Sequence, residues 1–272
     1  MLFKPESLTD EKISGGSSPY GPLFAYDQTA AARELYDGTG SLYLSIQPDA
    51  HDHFKAHPEF HELLKKFTAY NKQNNGGDIP RLWSFILNVK QILEEKIKGD
   101  FAELGVWRGN TAAILAMLAN KTGREVFLFD TYEGFDPRDT KKSVDKSSKF
   151  TPSGTEYTAE DTSLEVVKSV VGPTYRHCRY IKGYFPKSIT PEAEKRKYAV
   201  VSLDCDLYEP MKAGLEFFYP RMTKGGIFFL HDYSSMFWPG VKKAIDEFLK
   251  KSGEHLVLMP DKSGSAFMRK TQ

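Results

Sequence analysis

Residues 103–111 read ELGVWRGNT, and this stretch decides the fold class. Its two glycines, Gly105 and Gly109, let the backbone turn tightly and approach a ligand closely. The apolar residues 101–105 predict a short strand, and residues 111–119, rich in alanine and leucine, predict a helix whose first amides face the loop. Alone, a Gly-x-x-x-Gly loop is typical either of a cofactor site or of an ordinary tight turn between a strand and a helix.

Outward from this loop, helical and strand patterns alternate along the chain. The predicted strands are residues 101–105, 125–130, 179–182, 198–203, 227–230, 255–259 and 265–269. The predicted helices are residues 81–98, 111–119, 163–171, 208–219 and 241–250. This alternation predicts a doubly wound α/β fold, in which a mostly parallel sheet is covered on both faces and ends in an antiparallel hairpin.

The first part of the chain differs in texture from the rest. Residues 1–78 are irregular and rich in turn signals, apart from one amphipathic helix predicted over residues 59–70. We therefore predict an N-terminal extension or lid over residues 1–78 and the α/β domain over residues 79–272. A polar stretch at residues 132–162 has no clear period, which indicates a second loop or lid.

The composition restricts the partners and the compartment. Lys and Arg number 37 against 36 Asp and Glu, and this balance argues against a nucleic-acid partner. The two cysteines, Cys178 and Cys205, fit neither a metal knuckle nor a disulfide framework, which suits a reducing compartment. No run approaches the ~18 apolar residues of a membrane span, and the start of the chain lacks the apolar segment of a signal peptide. We expect a cytoplasmic protein without a membrane partner.

Several enzyme classes lack their usual motif in this sequence. The glycine loop is not Gly-x-Gly-x-x-Gly, and neither a phosphate-binding Walker loop nor a Gly-x-Ser-x-Gly elbow is present. Cys205 is a poor nucleophile because the acids on either side of it raise the pKa of its thiol. The histidines near residue 55 lack a metal-binding arrangement and indicate a solvated polar face; they are His51, His53, His57 and His61.

Acidic residues follow several predicted strands, where ligands bind in sheets of this type. Asp130 ends the second strand, about twenty residues beyond the glycine loop, and can accept hydrogen bonds from a ribose diol; a helix cap is the alternative. Asp204 and Asp206 follow the fourth main strand, and His231 and Asp232 follow the fifth. Oxygen-rich clusters with one imidazole suit Mg²⁺ or Mn²⁺, which would polarise a substrate hydroxyl. The alternative is that these acids cap helices or pair with Lys and Arg.

Several short motifs stand in a family-like order along residues 79–250. They are GDFAELGVWRG at 99–109, DTYEGF at 130–135, LDCDLYEP at 203–210, YP at 219–220, GG at 225–226 and HDY at 231–233. Together they resemble the macrocin (TylF-type) O-methyltransferase family. The resemblance implies a Rossmann-like fold and transfer of a methyl group from S-adenosylmethionine to a hydroxyl, often on a sugar of a natural product. It also implies a divalent metal, usually magnesium, and a homo-oligomer.

The resemblance further implies which residues hold the cofactor. The implied cofactor site comprises Glu103, Gly105, Val106, Gly109, Asn110, Thr111, Asp130, Thr131, Tyr132, Gly183, Tyr184, Phe185 and Asp204. Within it, Glu103, Gly105 and Gly109 would line the methionine end of the cofactor. Asp130 would bind the ribose, and residues 183–185 would border the adenine.

The implied metal ligands are Asp204, His231 and Asp232, and Asp204 is also the first choice for the base. One departure from the family pattern bears on this set, because the chain has His231-Asp232-Tyr233 where related enzymes have Asp-Asp-Tyr. The change removes one negative charge and makes the site less suited to magnesium. It leaves three alternatives: a site that binds a metal with an altered metal preference, a metal-free site with His231 as the general base, or a site with relaxed specificity for the methyl acceptor.

The sequence thus predicts a methyltransferase that acts on a hydroxyl of a small molecule with the help of a metal. A metal-independent small-molecule methyltransferase is one alternative. A non-catalytic module that binds the cofactor and regulates a partner is another. A sugar-nucleotide oxidoreductase ranks below both, because the dinucleotide glycine fingerprint is missing.

Overall fold

The computed structural model describes residues 60–76, 78–140, 145, 162–172, 176–235 and 237–272. All of these residues belong to one compact unit, Ile46–Gln272. Two sets of predictions fall outside these ranges. One concerns residues 1–59, with His51, His53 and His57, and the other concerns most of the polar stretch 132–162. Within them, no helix combines the length and the apolar character that crossing a membrane requires.

A seven-stranded sheet forms the centre of the described fold. Its strands are β1 (Asp100–Leu104), β2 (Val126–Asp130), β3 (Cys178–Lys182), β4 (Tyr198–Leu203), β5 (Met222–Leu230), β6 (Val257–Leu258) and β7 (Ala266–Arg269). Their spatial order is β3-β2-β1-β4-β5-β7-β6, in which the first five are parallel and β7 runs antiparallel to β5 and β6. The predicted doubly wound sheet with its C-terminal hairpin is confirmed.

Helices cover both faces of this sheet. They are α1 (Phe60–Thr68), α2 (Lys72–Asn75), α3 (Ile79–Glu94), α4 (Asn110–Asn120), α5 (Pro137–Thr140), α6 (Leu164–Val171), α7 (Pro191–Lys195), α8 (Tyr208–Phe218) and α9 (Pro239–Ser252). Helices α1, α3, α4 and α6 enclose one core, and α7, α8 and α9 enclose the other. In β2, Val126 and Leu128 belong to the first core. Phe127 and Phe129 belong to the second, because alternate strand residues face opposite sides.

Helix α1, which the sequence predicts at residues 59–70, is packed into the first core. Leu63 and Phe67 are fully buried, and α1 lies against α4. Asn110, at the start of α4, donates from Nδ2 to the carbonyl oxygens of Lys66 and Ala69, each at 2.8 Å. This part of the predicted N-terminal extension therefore packs with the sheet domain, and the lid role of residues 1–59 stays a prediction.

The boundaries of α3 and β5 differ from the prediction. Helix α3 begins two residues earlier than expected because Pro80 fits the first helical turn. It ends at Glu94 because Lys96 adopts a φ of +56°, which a right-handed helix does not allow. Strand β5 begins at Met222 because the predicted turn at residues 225–226 lies within the strand.

Helix α7 is not predicted from the sequence. The side-chain oxygen of Thr190 accepts a hydrogen bond from the Ala193 amide at 3.2 Å, and Pro191 occupies the first turn. Thr followed by Pro is a helix-start signal that the sequence does carry. The helix has only five residues, too few to show an apolar period.

Candidate functional site

A cavity of about 550 Å³ opens at the carboxyl ends of the parallel strands, where the strand order reverses between β1 and β4. Its position is the one expected for ligands of a doubly wound sheet, and its volume suits a small molecule. Most of the predicted cofactor residues line it: Gly105, Val106, Asn110, Thr111, Asp130, Thr131, Gly183, Tyr184, Phe185 and Asp204.

Three predicted cofactor residues lie behind the cavity wall instead. Glu103 is fully buried in β1, where burial and then the nearby charge of Asp204 raise its pKa to about 8. Tyr132 is a core residue whose hydroxyl donates to the Leu128 carbonyl oxygen at 3.0 Å. Gly109 faces α6, because a Cβ atom there would come within 3.0 Å of Val167 Cγ1. None of the three is among the residues that line the cavity, and their part in holding the cofactor stays a prediction.

The glycine loop passes directly over the end of β4. Gly105 has a φ of +85°, and a Cβ atom on it would lie 2.0 Å from the carbonyl oxygen of Asp204. The Asp204 amide in turn donates to the Leu104 carbonyl oxygen at 2.9 Å. This close approach requires glycine. It brings the predicted cofactor loop next to Asp204, the predicted base.

Asp130 fastens two loops of the cavity wall. Its Oδ2 accepts hydrogen bonds from the amides of Val106 at 2.6 Å and Trp107 at 3.0 Å. Its Oδ1 accepts one from the Tyr132 amide at 2.7 Å. Burial raises the pKa of Asp130, and these amide bonds oppose the shift. The predicted ribose contact stays a prediction, while the observed bonds make Asp130 an organiser of the loop.

The acids after β4 and β5 form a connected network. Arg81 Nη2 donates to Asp204 Oδ2 at 2.6 Å. His231 Nδ1 lies 2.6 Å from Asp204 Oδ1 and 2.6 Å from Asp232 Oδ2. The structure therefore brings together the three predicted metal ligands. It also realises the alternative that one of these acids pairs with an arginine.

The charged groups of this network shift one another's pKa. Burial alone would raise the pKa of Asp204, but the positive charges of His231 and Arg81 lower it to about 2. Burial and Arg81 lower the pKa of His231, yet the carboxylates of Asp204 and Asp232 bring it well above its usual value. A raised pKa does not favour the alternative of His231 as the general base.

The fit of a divalent cation is decided by the same bonds. Asp204, Asp206, His231 and Asp232 place one potential ligand atom each within 4.8 Å of one another, and oxygen-rich sets suit Mg²⁺ or Mn²⁺. However, hydrogen bonds within the network use both oxygens of Asp204 and Nδ1 of His231. Arg81 adds a permanent positive charge. These bonds and this charge oppose the predicted cation at the Asp204 oxygens, whereas Nε2 of His231 is buried without a hydrogen-bond partner. The cation stays a prediction.

Comparison with known proteins agrees with this geometry. The family model of macrocin O-methyltransferase (TylF) matches residues 76–269, which is more than half of the chain. The chain belongs to this family. The resemblance inferred from the motifs is thereby confirmed.

Named relatives of the family are similar over part of their length. Mycinamicin III 3''-O-methyltransferase of Micromonospora griseorubida is 30% identical over 205 residues, which are 66% of this chain and 76% of that protein. A Streptomyces olivaceus protein, 8-demethyl-8-(2,3-dimethoxy-alpha-L-rhamnosyl)-tetracenomycin-C 4'-O-methyltransferase, is 27% identical over 150 residues. That match spans 54% of this chain and only 57% of the relative. Demethyldecarbamoylnovobiocin O-methyltransferase of Streptomyces niveus is 27% identical, and the match spans 66% of its length.

Two solved structures share the fold. The O-methyltransferase NovP superimposes with a TM-score of 0.65 at 21% identity, covering 79% of this chain and 99% of NovP. The calicheamicin methyltransferase CalS11 superimposes with a TM-score of 0.56 at 21% identity, covering 84% of this chain and 99% of CalS11. These similarities support the Rossmann-like methyltransferase fold of the macrocin family member described here.

Sequence reasoning missed several residues that line the cavity. Arg81 was read only as the start of an apolar helix, although a charged residue four positions before Phe85 on a buried helix face is a visible signal. Residues 261–264 reach the cavity from the β6–β7 hairpin, and Asn71 and Asn75 reach it from the α1–α2 region. No local pattern reveals these distant segments, because the sheet brings them together.

Asp130→Asn is predicted to weaken binding of S-adenosylhomocysteine by about tenfold or more and to lower the free energy of unfolding by ~1–3 kcal/mol. An amide presents its NH₂ group to at least one of the donating backbone amides, so the loop loses an acceptor. Calorimetric titration and urea unfolding measure the two effects. Asp246→Asn, an acid on α9 bonded to Lys242, is the control expected to leave both unchanged. Equal affinity in the Asp130 variant and the control would contradict the loop-organising role.

Proposed function

We propose that this chain is an S-adenosylmethionine-dependent O-methyltransferase whose acceptor is a sugar hydroxyl of a natural-product glycoside. The observation that carries the proposal is the cavity at the strand ends, in which the Gly105 loop lies directly against Asp204. A cofactor held by that loop would present its reactive end beside a half-buried carboxylate. Family membership supports both the cofactor and the reaction class.

A further part of the cavity lining supports a polar acceptor with an apolar face. It contains Ser234, Ser235 and Asp261, which offer hydrogen-bonding groups for hydroxyls. Trp238 also lines the cavity and packs edge-on against Phe135, with their ring centroids 5.7 Å apart. A pyranose ring has this mixture of polar edge and apolar face. One relative carries a rhamnosyl group in the name of its substrate, which also supports a sugar acceptor.

The chemistry proposed for the site is an in-line methyl transfer. Bound S-adenosylmethionine would supply a sulfonium methyl group to the attacking acceptor oxygen, leaving S-adenosylhomocysteine. Each oxygen of Asp204 retains a lone pair beyond its present bond and can accept a hydrogen bond from the acceptor hydroxyl. An oxygen that gains a methyl group while still bearing its proton is a strong acid. A carboxylate of low pKa can therefore take up that proton, and most of the rate comes from positioning.

The test combines cofactor binding with product formation on matched acceptors. S-adenosylhomocysteine is titrated calorimetrically, and the protein is then incubated with S-adenosylmethionine and glycosides, each paired with its own aglycone. We expect saturable binding and mass-spectrometric detection of a monomethylated glycoside, with no product from the aglycone. Absence of binding would remove the methyltransferase proposal. Methylation of the aglycone alone would remove the sugar acceptor, and binding without any product would favour the non-catalytic module.

The cellular setting is proposed on separate grounds. Cys178 and Cys205 are both buried free thiols, which supports a reducing compartment such as the cytoplasm. A homo-oligomer, implied by the resemblance, and the absence of a nucleic-acid partner, implied by the balanced charge, stay predictions. Sedimentation of the purified protein measures the first of these directly.

A further inference from the structure

Arg81 is a buried cation in the wall of the cavity. It lies in the first turn of α3, and its side chain is 8% exposed. Its Nη2 is 2.6 Å from Asp204 Oδ2, and its guanidinium carbon lies 5.8 Å from the centroid of the Phe67 ring. A guanidinium keeps its positive charge under all physiological conditions, so Asp204 always has a cation on this oxygen.

The second oxygen of Asp204 also has a close partner, the imidazole of His231. His231 Nδ1 lies at 2.6 Å from Asp204 Oδ1 and at the same distance from Asp232 Oδ2. A ring nitrogen this close to two carboxylate oxygens has to carry a hydrogen between them, because opposed lone pairs would repel. Nδ1 of His231 is therefore a donor and is not open to a metal, whereas Nε2 is buried without a hydrogen-bond partner.

A divalent cation would meet these groups at short range. The candidate ligand atoms of Asp204, Asp206, His231 and Asp232 all lie within 4.8 Å of one another, and the Arg81 guanidinium touches one member of that group. An ion bound to the Asp204 oxygens would lie next to the Arg81 guanidinium and the hydrogen on His231 Nδ1, and both would repel it. Charge repulsion therefore opposes a divalent cation at Asp204.

We propose that Arg81, together with His231, is a built-in substitute for the divalent cation in this site. Arg81 is a positioning residue: it holds Asp204 in the orientation that meets the acceptor hydroxyl, so methyl transfer requires no added metal. The inference rests on the proposed methyltransferase function for its activity readout. Its binding readout does not depend on that function.

The binding test uses Mn²⁺ alone. Full-length protein is freed of metal with a chelator and titrated with Mn²⁺, and the free ion is followed by its electron paramagnetic resonance signal. Wild type is expected to show no stoichiometric binding. Arg81→Met, which removes the charge and keeps an unbranched stem, is expected to bind one Mn²⁺ at least about tenfold more tightly than wild type. Arg81→Lys, which keeps a cation, is expected to behave as wild type.

Two further variants keep the test decisive. His231→Asp adds a carboxylate and removes the Nδ1 donor, so it is expected to gain Mn²⁺ binding even if Arg81→Met does not fold. Arg179→Met removes a half-exposed arginine paired with Glu125 on the other side of the protein and should gain nothing. One Mn²⁺ bound per wild-type chain would overturn the proposal, and so would folded Arg81→Met and His231→Asp variants that gain no affinity.

Activity in a chelator provides the second readout. Wild-type turnover is expected to be the same in the presence of a chelator and of Mg²⁺, whereas loss of turnover in the chelator would overturn the proposal. S-adenosylhomocysteine binding is measured on the same samples. Failure of that binding counts against the methyltransferase function, and Mn²⁺ binding by wild type counts against the role of Arg81, so the two failures are distinguishable.

Discussion

Gly105→Ala is expected to remove S-adenosylhomocysteine binding and to lower the free energy of unfolding by about 3 kcal/mol or more. Two costs combine at this position. The residue has a φ of +85°, which alanine tolerates poorly, and the new Cβ would lie 2.0 Å from the Asp204 carbonyl oxygen. Relief of that contact has to separate the glycine loop from the end of β4, which displaces both halves of the cavity.

Gly123→Ala is the matched control for this experiment. Gly123 also has a positive φ, of +67°, but a Cβ atom there meets nothing within 4 Å. It therefore isolates the conformational cost, expected to be about 1 kcal/mol, from the cost of the contact. Urea unfolding and calorimetric titration are measured for both variants. A Gly105 variant that matches the Gly123 variant in both measurements would contradict the close approach described here.

Asp204→Asn is expected to reduce kcat by about 10² to 10⁴-fold while leaving the dissociation constant for S-adenosylhomocysteine nearly unchanged. Asparagine keeps the shape of the side chain but presents an NH₂ group to either Arg81 or His231, which are both donors. The acceptor hydroxyl then loses its anionic partner, and the network that orients it is broken. Initial rates with an accepted glycoside and calorimetry measure the two quantities.

Asp100→Asn provides the comparison for that variant. Asp100 is paired with Arg196 at 3.2 Å, and its side chain is 16% exposed against 18% for Asp204. It stands at the opposite end of β1 from the cavity, so a loss of an ion pair there tests stability without touching the site. We expect Asp100→Asn to retain kcat. Equal losses in both variants would show that general destabilisation, and not the position of Asp204, explains the effect.

The sheet was predictable because most of its strands can be recognised from short local sequence patterns. Four buried apolar runs, those of β1, β2, β4 and β5, and the shorter run of β3 alternate for the most part with helical periods. This order leads to a parallel sheet, and this part of the prediction is confirmed. Helix α7 is too short to show a helical period of apolar residues. The start of β5 was not predicted because Gly225 and Gly226 have the appearance of a turn in the sequence. At Gly226 a Cβ atom would lie 2.6 Å from Met222 Sδ, so glycine there serves close packing within the strand. Glycine in a sequence does not distinguish that use from a turn.

The candidate site was predictable to the extent that it follows from strand ends. Asp130, Asp204 and Asp232 each follow a strand, and the structure places all three in the cavity wall. The partner of Asp204 was not predictable in this way, because Arg81 lies 123 residues earlier and enters from a helix. Glu103 is a different case: motif resemblance marks the residue, its place within β1 leaves it fully buried, and its role toward the cofactor stays a prediction.

The packing of α1 against α4 matters for any attempt to change the set of methyl acceptors by directed evolution. Asn71 and Asn75 line the cavity, and Asn71 Nδ2 donates to Asn110 Oδ1 at 3.3 Å at the start of the helix behind the cofactor loop. Libraries confined to the loops at the strand ends would leave this wall unsampled. A fragment trimmed to begin at residue 79 would lose it altogether and would uncover the apolar surface on which Leu63 and Phe67 rest. A shortened chain that keeps this wall therefore has to include α1, which begins at Phe60.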